Sequence, residues 1–469
     1  MLFLITNMVA LFLTPFMLRH VSKEEYGLYV LCVELFSWIS FMNLGTAKVL
    51  GPKVSKELAL NNRKEIVYLF NSSFWFQLGV SVLVIPLYFG LVKMAGVEEV
   101  RIEHLTESIL LFSLAAFMNN LSGQFSEMII ATRKIHLDNK IQIAVLILRA
   151  VLIISFVPIF GMPTVFIVYF LIAFLDLVRK VIRVNQLYPG LSIKISHFSK
   201  LHFNKLISQG VFFSLASVTT ILVTKFDSFF LGKEFGLEMV SSYYVSIKLI
   251  QIGEKGINVL FNNFRPYISR LYGQRKVEML SQVYIESTFI MLIITSIFVL
   301  ILTSINEYFV TYWVGENMYL SNRFNTLVVL FYALNLMTLP SRILLVSTLS
   351  YIPNLTISGF FQGVSRFLLL YFGFGFFGID SLPISNIISL FFVSFTYQMY
   401  LLSAFFSKRA DIAITNAIIF VGFICCIAAV HWQMWAATCT FTLLFCSLLV
   451  STKINFRKSA VLELFERRD

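Results

Sequence analysis

The chain is written as long apolar runs separated by short polar and charged segments. Runs such as 143–157, 289–303 and 412–430 are continuous, with no alternation of apolar and polar positions. A membrane-spanning helix needs about 20 such residues, whereas a strand of an outer-membrane barrel alternates over about ten. Fourteen runs are readable: 1–18, 28–50, 67–92, 106–131, 141–157, 164–184, 207–231, 241–264, 280–304, 324–348, 355–377, 384–406, 412–430 and 433–451. The pattern predicts an all-α polytopic membrane protein with about fourteen transmembrane helices and no inserted water-soluble domain.

Composition narrows the class further. Apolar residues make up 58% and charged residues 13% of the 469 positions. Water-soluble domains carry about 25% charged residues, so this chain cannot coat a water-facing surface. Soluble enzymes, disordered chains and disulfide scaffolds are excluded. The net charge of +12 does not point to nucleic acid, because the bases sit in short loops rather than on one basic face. With the N-terminus in the cytoplasm, the inner loops and tail hold 24 of the 37 lysines and arginines, and the outer loops hold 6. That asymmetry follows the positive-inside rule through the whole series and predicts a multi-pass membrane protein with both termini cytoplasmic. The first run has no basic leading region and no small-residue cleavage site, so it reads as a span rather than a signal peptide. It begins almost at Met1, which suggests a start that is short or truncated.

The chain also repeats itself. Leu13-Thr14-Pro15-Phe16 in the first span matches Val223-Thr224-Lys225-Phe226 in the seventh. Pro52-Lys53-Val54-Ser55-Lys56 matches Pro266-Tyr267-Ile268-Ser269-Arg270, and Arg63-Lys64-Glu65 matches the segment from Arg275 to Glu278. The distances from Thr132 to Arg149 and from Thr348 to Arg366 agree as well, which sets the two arginines opposite each other in spans five and eleven. The expected organisation is a six-helix half over 1–206, a second over 207–411, an extra hairpin at 412–452 and a cytoplasmic tail at 453–469. Six is even, so the halves are parallel repeats, as in several transporter folds.

Thr14-Pro15-Phe16-Met17-Leu18-Arg19, Glu25-Tyr26-Gly27-Leu28-Tyr29 and Asn43-Leu44-Gly45 together resemble the opening of polysaccharide-biosynthesis, O-antigen-unit flippases. These belong to the multidrug/oligosaccharidyl-lipid/polysaccharide (MOP) exporter superfamily. The twelve-plus-two plan extends the likeness over nearly the whole chain, though the polar stretch usual before the first helix is missing. The resemblance implies a MATE-like, V-shaped pair of bundles around a cationic cavity. It implies undecaprenyl-diphosphate-linked oligosaccharide as cargo, moved from the cytoplasmic to the periplasmic leaflet, with a polysaccharide polymerase and a chain-length regulator as partners.

Charges inside spans supply the candidate chemistry, since each is costly in lipid and faces a wet interior by default. Arg149, Lys248, Lys255 and Arg366 lie too deep to snorkel to a helix end, unlike Lys48, Glu127, Glu286 and Arg342. Lys248, Gln251, Lys255, Asn258 and Asn262 recur at spacings of 3 and 4, one polar stripe on span eight. Arginine offers a planar fork for phosphate oxygens and lysine a compact charge, so Arg149, Arg366, Lys248, Lys255, Asn258 and Asn262 are the candidate substrate contacts. The competing reading has each arginine neutralise an acid of its own half, such as Glu34 or Asp176. Glu34, Asp176, Asp227 and Glu254 are the candidates for coupling. Pro15, Pro86 and Pro340 mark expected bends.

Other signals fall away. Gly373-Phe374-Gly375-Phe376-Phe377-Gly378 spells a nucleotide-loop pattern but ends an apolar span, without the strand such a loop requires. No P-loop and no HExxH occurs, and the five cysteines lack metal-ligand spacing, so no cofactor and no metal is expected. Four cysteines lie in the last two spans, where thiols pack as small apolar groups. The reading is a non-enzymatic flippase working by alternating access. A cation-coupled multidrug antiporter of the same superfamily would need a mainly acidic cavity. A polysaccharide-assembly enzyme would need a large external loop.

Overall fold

The computed structural model describes residues 2–95, 105–132, 135–348, 351–407, 409–428 and 435–451, and among these it contains helices and no strand. The helices are α1 (Leu2–His20), α2 (Lys23–Met42), α3 (Thr46–Ala59), α4 (Arg63–Met94), α5 (Leu105–Ala131), α6 (Ile135–Phe160) and α7 (Pro163–Leu187). They continue as α8 (Lys200–Thr224), α9 (Asp227–Phe235), α10 (Leu237–Asn262), α11 (Arg265–Gly273), α12 (Val277–Val314), α13 (Asn322–Met337) and α14 (Leu339–Ser347). The last are α15 (Ile352–Phe377), α16 (Ser381–Ser389), α17 (Thr396–Phe405), α18 (Ala410–Ala428) and α19 (Trp435–Ser451). A π-helical segment, Leu390–Phe395, joins α16 to α17. An all-helical chain is what lipid demands, because only intrahelical hydrogen bonds satisfy a backbone with no water beside it.

Seven helices among the described residues are long and apolar enough to cross a bilayer, and a bent pair within α8 raises the number to eight. The remaining helices carry the polar positions that interrupt apolar length. On α7 these are Asp176, Arg179 and Lys180; on α10 they are Lys248, Glu254 and Lys255. The chain is thus a multi-pass membrane protein.

The chain divides into two compact units, Met1–Ser241 and Ser242–Asp469, with the boundary inside α10. Several expected spans are broken. The second becomes α2 and α3, parted by Leu44 and Gly45, both left-handed (φ 45° and 63°). The seventh breaks at Lys225–Phe226 into α8 and α9, and the tenth breaks at Thr338 into α13 and α14. Pro340 follows that last break, whereas Pro15 and Pro86 sit inside continuous helices.

The internal repeat is visible in backbone detail within each unit. In the first, Asn61 is left-handed (φ 54°), its N–H donates to Leu58 O (3.1 Å), and Asn62 N–H donates to Glu57 O (3.0 Å). In the second, Arg275 is left-handed (φ 57°), donating to Tyr272 O (2.9 Å), and Lys276 N–H donates to Leu271 O (3.1 Å). Each turn launches a long helix, α4 of 32 residues and α12 of 38. Further on, α6 and α15 both run for 26 residues, carry their arginine at the fifteenth position and stop before a left-handed glycine, Gly161 or Gly378. Sequence similarity between these segments is slight; the matching turns show that it has structural meaning.

Within the first unit, glycine sets how closely helices cross. A Cβ added at Gly45 would run into the backbone of Gly210 on α8, and one at Gly210 would run into Leu44 O. Close backbone approach at small residues is the usual means of helix association where lipid competes for every apolar side chain.

A cationic cavity in the first unit

A cavity of about 630 Å³ opens among α1, α2, α5, α6 and α7. Its polar lining includes Asn43, Asn119, Asn120, Arg149, Asp176 and Lys180, with Tyr169 and Phe36 supplying aromatic wall. Helical periodicity places these groups. On α7, Tyr169, Ala173, Asp176 and Lys180 follow one another at spacings of 4, 3 and 4 and so share a face. On α6, Gln142, Val145, Leu146 and Arg149 do the same.

Arg149 lies over the Tyr169 ring, 4.6 Å from its centroid. Such a contact is worth about 0.5–2 kcal/mol and leaves the guanidinium N–H groups available at its edge. The Tyr169 hydroxyl meets the Tyr29 hydroxyl at 2.9 Å, and the Phe112 ring packs on Tyr169 at 5.0 Å. Among the described residues no carboxylate lies within ion-pair distance of Arg149; Asp176 is taken by Lys180 (2.6 Å) and Arg179 (2.7 Å). Lys180 also donates to Ser122 Oγ (3.1 Å). The idea that Arg149 neutralises Asp176 or Glu34 therefore fails, because both acids have other bases. Glu34 pairs with Lys225 at 3.1 Å.

Beneath the cavity floor runs an amide network. Asn43 donates to Asn120 Oδ1 (2.7 Å), Gln77 donates to Asn43 Oδ1 (2.6 Å), and Asn120 donates to Ser81 Oγ (2.9 Å). Ser73 and Gln124 extend it, Ser73 Oγ donating to Gln124 Oε1 (2.9 Å). A fully bonded network of this kind fixes α2, α4 and α5 against one another in low dielectric. Asn43 is at once part of this network and of the cavity wall.

The second unit places the other expected residues differently. Arg366 is only 1% exposed, enclosed by helices, in contrast to the half-buried Arg149. Lys248 donates to the Tyr244 hydroxyl (2.7 Å) and lies over the same ring. Lys255 and Asn262 are exposed on α10. Asn258 is turned to Glu254 Oε1, which also accepts from Asn335 (3.2 Å). Arg342 joins them by donating to Asn335 (3.3 Å) and Asn258 (3.5 Å). Arg342 and Glu286, expected to reach towards helix ends, are half-buried and buried respectively. Each has a local amide partner, Asn335 for Arg342 and Gln282 for Glu286 (2.9 Å), which substitutes for water. Asp227 is buried at the start of α9.

Sequence reasoning placed Arg149 and Asp176 without their neighbours. It counted Lys180 among the inner-loop bases, yet Lys180 is 6% exposed and lines the cavity. Asn120 and Tyr169 went unremarked; the 4-3-4 spacing from Tyr169 to Lys180 was the available signal. On α3 Lys53 stands near Lys205 and Lys56. Partial burial and then these two ammonium groups hold its own below the usual lysine range, against a smaller opposing pull from Glu65.

Comparison with solved structures places the fold. An inward-facing multidrug resistance MATE family transporter of the MOP superfamily is similar over 92% of this chain and 96% of its own, with a TM-score of 0.62 at 15% identity. The lipid II flippase MurJ in an inward closed conformation is similar over 96% of both chains, with a TM-score of 0.60 at 15% identity. An outward-facing MATE transporter of the MOP superfamily gives 0.53 at 14% identity, over 87% and 95%. The fold is like that of these transporters and this flippase. At such identity the likeness is one of fold alone. No family model matches the chain, and no curated protein matches it.

Proposed function

We propose that the protein is a flippase for undecaprenyl-diphosphate-linked oligosaccharide, moving it from the cytoplasmic to the periplasmic leaflet by alternating access. The observation that carries this reading is Arg149: a guanidinium held on an aromatic face inside a polar cavity, with no acid among the described residues within ion-pair distance. A half-buried cation left without a counter-ion carries part of the desolvation cost of a buried one, and an anionic ligand offsets it. The planar fork fits two phosphate oxygens at once. Around it, Asn43, Asn119 and Gln142 offer amide donors and acceptors suited to sugar hydroxyls. The apolar tail of the cargo stays in lipid. On the same reading Arg366, Lys248, Lys255, Asn258 and Asn262 are the second unit's contacts with cargo. Glu34, Asp176, Asp227 and Glu254 are the candidates for coupling, and the assembly partners are a polymerase and a chain-length regulator.

A multidrug antiporter is the second reading, supported by the MATE transporters among the similar folds. A cavity for cationic drugs calls for an unneutralised acid. Here two bases line the cavity against one acid, and that acid already pairs with two bases. The chemistry favours an anionic cargo. Binding of an undecaprenyl-diphosphate lipid to the purified protein tests the choice. Binding that weakens in Arg149→Ala supports the flippase. Binding of lipophilic cations instead, unaffected by Arg149→Ala, supports the antiporter.

A further inference from the structure

The last two helices carry four cysteines that transport chemistry does not use: Cys425 and Cys426 on α18, Cys439 and Cys446 on α19. Their contacts fix the register of the hairpin. Cys446 Sγ lies 3.8 Å from Ile418 O, and a Cβ on Gly422 would stand 3.0 Å from the same sulfur. Moving back along α19 from Cys446 to Cys439 moves forward along α18 from Ile418 to Cys426, as antiparallel helices require. Cys439 therefore faces Cys426. The Cys439 thiol donates to Cys426 O at 3.5 Å, which sets its sulfur against Cys426 across the seam. Both are buried, at 2% and 1% exposure, while Cys425 is exposed on the neighbouring position.

We propose that Cys426 and Cys439 are a disulfide-forming pair that staples the terminal hairpin. A disulfide needs Cα atoms about 4.4–6.8 Å apart, and the Cys439 sulfur already lies 3.5 Å from the Cys426 backbone oxygen on the facing helix. Geometry also selects the partners: Cys446 is two turns away against Gly422, and Cys425 is exposed rather than packed in the helix seam. The pair sits in the last turn of α18 and the first turns of α19. In the topology that the loop charges predict, this end of the hairpin faces outward, where thiols are oxidised.

The chemistry is an exchange with the disulfide of a thiol oxidase. One cysteine thiolate attacks that disulfide, forming a mixed disulfide and expelling a thiolate, which takes up a proton. The second cysteine attacks its partner's sulfur in the mixed disulfide, closing Cys426 Sγ–Cys439 Sγ and releasing the second thiol. Two electrons and two protons pass to the oxidase. α19 packs along α12 and α18 packs on α13, so the staple ties the hairpin to both.

The test uses the full chain in lipid nanodiscs with 4,4′-dithiodipyridine, a small membrane-permeable disulfide. Peptide mapping after alkylation is expected to show Cys426 linked to Cys439, a loss of about 2 Da per chain. The link should persist in C425S and vanish in C426S and in C439S. The wild-type result stands whether or not those variants fold. If Cys425 reacts, so the reagent has reached the hairpin, while Cys426 and Cys439 are both recovered alkylated, the proposal is overturned. It is equally overturned if either of them is found joined to Cys446.

Discussion

At the scale of single residues, the central actor is Arg149. Its partner is a ring rather than a carboxylate, so its charge is stabilised without being spent. A hydrogen bond to a charged group is worth about 1.5–3 kcal/mol, so Arg149→Ala should lower export of lipid-linked oligosaccharide about tenfold or more at unchanged protein level. Arg149→Lys should recover part of it, since charge returns without the fork. Arg366→Ala and Lys248→Ala are expected to cut export as well; full activity in all three alanine variants would sink the cationic-contact account. Asp176 poses a different question. It holds Lys180 at 2.6 Å, with 14% and 8% side-chain exposure for acid and base. Breaking a buried pair leaves an uncompensated charge and costs about 3–5 kcal/mol, less here for residual exposure and for Arg179. Asp176→Asn should therefore lower the melting temperature, and adding Lys180→Met should restore most of the loss. Equal melting of Asp176→Asn and wild type would show that the pair is not structural.

At the scale of helices, breaks matter as much as spans. The turn at Asn43-Leu44-Gly45 ends α2, delivers Asn43 to the cavity and lets α8 approach at Gly210. Gly45→Val adds a side chain where both space and φ forbid it, so it should abolish stable folding, read as loss of a monodisperse peak in detergent. Gly79→Ala, on α4 with open space around its position, serves as the tolerated control. Ser22 and Glu25 close the start of α2 as a reciprocal cap, Ser22 N–H to Glu25 Oε2 (2.7 Å) and Glu25 N–H to Ser22 Oγ (3.1 Å). That motif, Ser-x-x-Glu before an apolar run, was readable in the chain. Most helices were too, because apolar length is a strong and local signal. The breaks were not. Leu44, Asn61 and Arg275 take left-handed backbone for reasons of packing and turn geometry, and no residue-type preference marks a leucine or an arginine for it.

At the scale of the whole chain, the correspondence between the turns at Asn61 and Arg275 was legible because proline and basic residues recur in order around them. The site was legible only in part. Arg149 and Arg366 were matched by spacing, and they do occupy the same position of α6 and α15. Yet one borders a cavity and the other is enclosed, a difference set by tertiary neighbours that no spacing encodes. The similar folds include both a multidrug transporter and a lipid flippase, so fold does not choose the cargo. On the proposed reading, charge in the cavity does. The most direct measurement is the leaflet distribution of lipid-linked oligosaccharide in cells depleted of this protein. The account predicts accumulation on the cytoplasmic leaflet, cleared by re-expression of the wild type and not of Arg149→Ala. An unchanged distribution between leaflets would contradict it.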